Sequence, residues 1–246
     1  MLYAIISDIH SNLEAFEETL KRTDEIRVNE ILCLGDIVGY NANPNECVKI
    51  IKERQIKTIM GNHDRTSCGI EEPTSFNEYA KEAVFWTRKE ITAETQDYLK
   101  NLKDSIVIDN EFLVVHGSPR DPDEYILSRS SAAQNLQYLK KNFKNITICF
   151  FGHTHVKAFY SLTGESGIVS NSSEGIVLSG DGTFLINPGS VGQPRDRDPR
   201  GFFIIFDTEK RLVRYEPVAY DIEKTSLKVI NAGLPKFLAE RLFEGR

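Results

Sequence analysis

Cysteine is sparse and unpaired in this chain: Cys33, Cys47, Cys68 and Cys149 are the four residues present, and no two form a CxxC spacing. That excludes a disulfide framework and offers no thiolate set for a structural zinc knot. Cys33 and Cys149 stand inside apolar, strand-like runs and read as small buried hydrophobes, which suits a reducing cytoplasm. No apolar run approaches the about 18 residues that a spanning helix needs, so a membrane span is excluded. No signal peptide is visible, because the first strand begins almost at Met1 and meets Asp8 directly. Positive charge is not in excess either. The formal net charge is -6, whereas a protein that grips nucleic-acid backbone carries a basic face, so extended nucleic acid is not an expected partner. Lys140, Lys141 and Lys144 make one dense basic group, and it reads as the solvated side of a helix. Repeats, low-complexity segments and linkers are absent. What remains is globular material: 246 residues, 40% hydrophobic and 27% charged, enough for one large α/β domain.

The first half alternates strands and helices. Residues 2–7 form an apolar strand. Residues 12–22 form a helix with Leu13, Phe16 and Leu20 at helical spacing, and 30–34 form the next strand. Pro44 opens a helix to about residue 54, and 56–60 make a third strand. This rhythm predicts a parallel sheet. Residues 76–89 and 92–102 read as two amphipathic helices that interrupt the rhythm. We read 68–104 as a cap inserted over one rim of the site; packing on the outside of the sheet is the alternative for the same helices. Residues 105–109 and 112–115 suggest a hairpin around Asn110. Residues 131–143 form a helix and 146–151 an apolar strand. After His155 the pattern is strand-only, over 157–163, 175–179, 183–187, 202–207 and 212–220, with turn-rich residues between. Two short helices follow, over 222–231 and 235–243. One domain, 1–246, is the expected organisation.

The informative fact is where the five histidines fall. His10, His63, His116, His153 and His155 each follow an apolar strand run and stand beside Gly or Asp. Asp36, in Gly35-Asp36-Ile37-Val38-Gly39, has the same setting with a carboxylate alone. Residues just beyond the carboxyl ends of strands line one edge of an α/β sheet, so these loops are able to converge. Asp, His and Asn are oxygen and nitrogen ligands suited to Mn, Fe, Ni or Zn. Two metals bridged by one carboxylate need about seven such side chains, and the segments supply that many plus His63; a pair about 3.5–4 Å apart activates water and holds both oxygens of a phosphoryl transfer.

The ordered set D-x-H, GD-x-x-G, GNHD, HG and GHTH resembles the calcineurin-like metallophosphoesterase superfamily. Asn187-Pro188-Gly189-Ser190 extends the resemblance to about Arg200, so it covers most of the chain. The stretches GDIVGYNANPNEC and NPGSVGQPRDRDPR resemble a small bacterial and archaeal phosphodiesterase branch. The resemblance implies an α/β sandwich of two mixed β-sheets flanked by helices. It implies that Asp8, His10 and His155 hold one metal, that Asn62, His116 and His153 hold the other, and that Asp36 bridges them. It implies hydrolysis by a metal-bridging hydroxide, with His63 as the acid or phosphoryl-oxygen donor. Asp64 either orients His63 or caps the following turn. The protein-phosphatase branch has GD-x-V-D-R-G and GNHE, and this chain has neither, so phosphate-binding cations must come from elsewhere. Arg65, Arg120, Arg195, Arg197 and Arg200 are candidates, with Arg195 first because it follows the 187–193 loop.

The leading expectation is therefore a cytoplasmic, manganese-type phosphodiesterase acting on a small phosphorylated or nucleotide substrate such as a dinucleoside polyphosphate. A phosphomonoesterase or protein phosphatase is the second reading. A non-catalytic metal-binding scaffold of the same fold is the third, and the intact Asn62 and His63 speak against it.

Overall fold

The computed structural model describes residues 1–162, 167–169, 175–180 and 182–246. The expected strand over 157–163 thus ends, at Thr163, outside the described residues. A first run consists of β1 (Leu2–Ile6), α1 (Leu13–Ile26), β2 (Glu30–Cys33), α2 (Pro44–Glu53) and β3 (Lys57–Thr58). Its three strands pair in parallel, as the alternation predicted. Three helices follow: α3 (Asn62–Ser67), α4 (Glu78–Glu90) and α5 (Ala93–Lys100). Next come β4 (Ser105–Ile108), β5 (Phe112–Val115), α6 (Arg129–Asn142) and β6 (Ile148–Phe151). The strand-rich part holds β7 (Ala158–Ser161), β8 (Gly167–Ile168), β9 (Ile176–Val177), β10 (Phe184–Asn187), β11 (Gly201–Asp207) and β12 (Leu212–Val218). The chain closes on α7 (Ile222–Asn231), α8 (Lys236–Glu240) and a 3-10 turn, Arg241–Phe243.

Two mixed sheets result, β3-β2-β1-β11-β12-β9 and β4-β5-β6-β10-β7-β8. They pack face to face over an apolar layer that includes Tyr3, Ile5 and Phe206 from the first and Phe112, Phe150 and Ile186 from the second. Side chains alternate along a strand, so β1 sends Tyr3 and Ile5 into this layer and Ala4 and Ile6 to the opposite face, where α1 and α2 contribute Phe16, Leu20, Val48 and Ile51. On the outer face of the second sheet, Leu113, Cys149 and Phe151 meet Leu136 and Leu139 of α6. Strands covered on both faces read as continuous apolar runs, which is why they stood out in the sequence. A fourth cluster joins Tyr40, Ala80 and Ala83 to Val229, Leu238 and Ala239, so α4 and the closing helices share one core.

The departures are local. The strand expected over 56–60 keeps only Lys57–Thr58, with a single bridge from Ile59 to Lys103. It ends early because the chain turns at Gly61 into α3, a helix the sequence reading did not contain. The strand expected over 175–179 shrinks to Ile176–Val177. No helix among the described residues is long and apolar enough to cross a membrane.

One ion cluster fastens the first helix to the last part of the chain. Glu14 in α1 is buried and meets Lys228 at 2.6 Å and Lys224 at 3.1 Å, both on α7. Burial pushes the Glu14 carboxyl up, but hydrogen bonds from the two lysines outweigh it and hold it below its ordinary value of 4.5. A depressed folded-state pKa stabilises above the unfolded pKa, and the gain is lost as pH falls through the folded value. Glu14→Gln is therefore expected to cost about 1–2 kcal/mol at pH 7. In urea titrations, the gap between variant and wild type should close as pH drops through the acid range; a gap that is constant with pH would contradict the assignment.

Candidate metal centre

Five strand ends supply the site. β1 runs into Asp8 and His10, β2 into Asp36, β3 into Asn62 and His63 at the start of α3, β5 into His116, and β6 into His153 and His155. All are buried; Asp8, His10 and His116 are 0% exposed. The backbone is strained where the ligand-type side chains turn inward. Asp8, His10, Asp36, His153 and His155 all have left-handed φ, between 48° and 65°. Non-glycine residues seldom adopt that region, and clusters of them mark functional sites.

Two groups of donor atoms share one carboxylate. In the first, Asp8, His10, Asp36 and His155 bring their ligand atoms within 4.8 Å of one another. His10 Nε2 lies 3.1 Å from His155 Nε2 and 3.5 Å from Asp36 Oδ2, and His155 Nε2 lies 3.3 Å from Asp8 Oδ1. In the second, His116 Nε2 lies 3.3 Å from Asp36 Oδ2, 3.0 Å from Asn62 Oδ1 and 3.2 Å from His153 Nδ1. The far ring nitrogens are fixed. Nδ1 of His10, His116 and His155 sits at 3.0, 2.8 and 2.5 Å from the carbonyls of Val38, Leu34 and Gln193. His153 is turned the other way, with Nε2 at 3.1 Å from the Asp123 carbonyl. An N–H donated outward leaves the inner nitrogen's lone pair directed at the centre, the arrangement a metal-binding imidazole needs.

The electrostatics fit cations. Burial pushes Asp8 up to about 7, with the charge of Asp36 adding to it. Burial also acts on Asp36, but His116 and then His63 outweigh it and hold that carboxyl well below the usual range. His116 is buried too, yet Asp36 draws it up to about 10. Burial drives His153 down to about 3, His63 to about 4, and His10 and His155 well below the ordinary value. Most of the imidazoles are thus neutral ligands in waiting. Asp8 Oδ1 and Asp36 Oδ2 are buried with no hydrogen-bond partner. Buried carboxylate oxygens without partners are costly, and divalent cations in the two groups would satisfy both. With oxygen and nitrogen donors and no thiolate, the set suits Mn, Fe, Ni or Zn.

The supporting contacts explain the glycines and the later loop. Asp36 Oδ1 accepts the His63 main-chain N–H at 2.8 Å. Asn187 donates to the Gly152 carbonyl at 2.7 Å, and Ser190 Oγ donates to the Asp8 carbonyl at 2.8 Å, so the 187–190 loop ties the Asp8 and His153 segments together. Asp64 accepts from the main-chain N–H groups of Val38 and Gly61. It therefore caps the start of α3 behind it, where the sequence reading had it orienting His63 or capping the turn that follows.

His63 lines a cavity of about 300 Å³ together with Tyr40, Asn62, Phe76, Tyr125 and His153. Its ring is 4.4 Å from Tyr40 and 4.7 Å from Phe76 between centroids, and Tyr125 lies 3.9 Å from the His153 ring. Sequence reading gave none of these three aromatics a role: Tyr40 stands within the GDIVGYNANPNEC stretch, Phe76 and Tyr125 have no motif, and only the fold brings the three to the cavity. Among the arginine candidates, Arg65 is paired with Asp123 and Asp104, Arg120 with Glu124, and Arg200 with Asp198. Arg197 is exposed. Arg195 bonds instead to Tyr40 Oη at 3.2 Å and Gln193 Oε1 at 3.0 Å.

The packing at Gly61 gives a direct test. A Cβ there would fall 2.1 Å from Asp36 Oδ1 and 2.4 Å from its main-chain nitrogen. Gly61→Ala is expected to destabilise the protein by about 1–3 kcal/mol through overpacking and to lower metal content measured by elemental analysis. A variant with wild-type stability and metal content would refute the tight contact.

Comparisons with known proteins identify the family and the fold. An uncharacterized protein of Methanocaldococcus jannaschii is 38% identical over 251 residues, covering 100% of this chain and 98% of the relative. The crystal structure of a metallophosphoesterase from Sphaerobacter thermophilus is 38% identical with a TM-score of 0.87, each chain covered to 100%. A hypothetical protein of Pyrococcus horikoshii shares the fold, at 21% identity and a TM-score of 0.81, with 100% of this chain and 98% of that one covered. Residues 1–211 match the calcineurin-like phosphoesterase superfamily domain, and the chain belongs to that family of phosphoester hydrolases.

Proposed function

We propose that the protein is a phosphodiesterase or nucleotide hydrolase with two divalent cations at its centre, acting on a small substrate of the dinucleoside-polyphosphate kind. The observation that carries this reading is Asp36, whose Oδ2 is common to both donor groups. Asp8, His10 and His155 would hold one cation, Asn62, His116 and His153 the other, and Asp36 both; manganese is our first choice, ahead of Fe, Ni and Zn. Bound there, the cations supply Lewis acidity toward a phosphoryl oxygen and lower the pKa of water.

The chain's own residues do the rest. His63, wedged between Tyr40 and Phe76 on the cavity wall, gives a proton or an N–H hydrogen bond to the leaving oxygen. Arg195, held by Tyr40 and Gln193, faces the negative charge of the phosphoryl group. Phe76 and Tyr125 provide apolar walls that exclude water and suit a planar leaving group. Because Phe76, Asn77 and Ala80 line the cavity, we assign the segment 68–104 a cap role, within one domain spanning 1–246. The four cysteines, all free and buried, support a cytoplasmic setting.

Treatment with EDTA is expected to lower the melting temperature and abolish hydrolysis of bis(p-nitrophenyl) phosphate, and manganese should restore both. No turnover with Mn, Fe, Ni or Zn would overturn the enzymatic reading, and a faster rate on p-nitrophenyl phosphate would turn it toward a monoesterase. His63→Ala is expected to lose about 100-fold or more in kcat while keeping its metals; full activity in that variant would remove His63 from the chemistry.

A further inference from the structure

Arg65 stands in α3, the helix that begins with Asn62, and its side chain is 11% exposed. Its Nη1 donates to Asp123 Oδ1 and Oδ2 at 3.0 and 3.1 Å, and its Nη2 donates to Asp104 Oδ1 at 3.2 Å. Glu71 Oε2 lies 3.7 Å from Nη1. A guanidinium surrounded by carboxylates is not open to phosphate. It is a strut, with α3 at one end and the loop that carries Asp123 and Tyr125 at the other.

What the strut holds is the anchor of a ligand. The Asp123 carbonyl lies 3.1 Å from His153 Nε2, and the Tyr125 ring packs on the His153 ring. The other three ligand imidazoles are anchored on the carbonyls of Val38, Leu34 and Gln193, residues that are 0%, 0% and 1% exposed. Those carbonyls cannot shift without disturbing packed interior. Asp123 is different: it belongs to a surface loop, and its side chain is 46% exposed. Such loops move more readily than the elements they join. Two contacts fix this one from behind. Asn135 of α6 donates to Glu124 Oε2 at 3.0 Å, and a Cβ on Gly117, next to His116, would fall 2.4 Å from the Pro122 carbonyl oxygen. Arg65 adds the tie to α3. Asn62 Oδ1 and His153 Nδ1 flank His116 Nε2 at 3.0 and 3.2 Å, so one guanidinium joins the supports of two donors on either side of a third.

We infer that Arg65 is a positioning residue for the cation assigned to Asn62, His116 and His153. By fixing Asp123 it keeps the His153 ring turned with Nδ1 inward, and it leaves the cation of Asp8, His10 and His155 alone. The inference rests on the two-cation reading and gives a role to an arginine that the sequence offered as a phosphate ligand. Outer partners of metal-binding histidines are worth about 10–100-fold in metal affinity.

Manganese titrated into the metal-free full chain tests it, with binding followed by calorimetry and spin coupling by electron paramagnetic resonance. Wild type is expected to take up two ions per chain that couple to each other. Arg65→Gln should weaken one ion by about 10–100-fold, keep the other within about twofold, and show the spectrum of an isolated manganese ion at concentrations where wild type is already coupled. Arg65→Lys, which keeps the charge, should recover part of the loss. If Arg65→Gln does not fold, Asp123→Asn decides the matter, because it keeps the main-chain carbonyl and loses the ion pair; the same selective weakening is expected there. A merely structural arginine would lower the melting temperature and weaken both ions alike, and that result, or two unchanged affinities, would overturn the inference. Wild type that binds fewer than two ions would sink the two-cation reading itself, whereas two ions in wild type with no selective loss in the variants sinks the role of Arg65 alone.

Discussion

Asp8 and Asp36 lie fully inside the protein, each with one oxygen that accepts no hydrogen bond, and four imidazoles stand around them. Carboxylates in so dry a place are unfavourable by several kcal/mol each unless opposite charge reaches them. Everything near the site is arranged around that burden. In the protein alone, His116 carries the compensating charge against Asp36. Divalent cations would meet the same need more completely, and each donor group draws on both sheets. The first sheet provides Asp8, His10 and Asp36; the second provides His116, His153 and His155. The apolar layer between the sheets therefore does more than stabilise. It sets how close the two ligand halves stand, and the left-handed backbone at five of these residues is kept in place by that packing.

Much of this was legible beforehand, for a physical reason. Strands buried on both faces read as apolar runs, and a carboxylate or imidazole at the end of such a run is out of place unless it is used. That made Asp8, His10, Asp36, His116, His153 and His155 visible as a group before any coordinates. Asn62 and His63 were visible through their neighbours, although the helix they begin was not, since six residues give too little periodicity to recognise. Asp64 stands three residues after Gly61, the place where a carboxylate caps a helix start, and the alternatives for it needed the contact with Val38 to be settled. Phe76 and Tyr125 had no such signal, and Tyr40 stood inside a quoted stretch without a role of its own. Aromatic residues are ordinary core material, and their position around His63 depends on the loop after β2, the segment before α4 and the 123–125 loop meeting at one cavity.

β1 also bears on how the chain reaches this state. It is paired with β2 on one side and, antiparallel, with β11 on the other, with Leu2 opposite Asp207. A ribosome thus releases β1 early with one edge unmatched, and that edge keeps its bare N–H and C=O groups until the segment ending at Asp207 has emerged. Such distant pairing slows collapse and leaves a strand edge open to neighbours during synthesis. Asp8 and His10 lie at the end of that waiting strand, so their final placement beside the other donor residues awaits the pairing with β11.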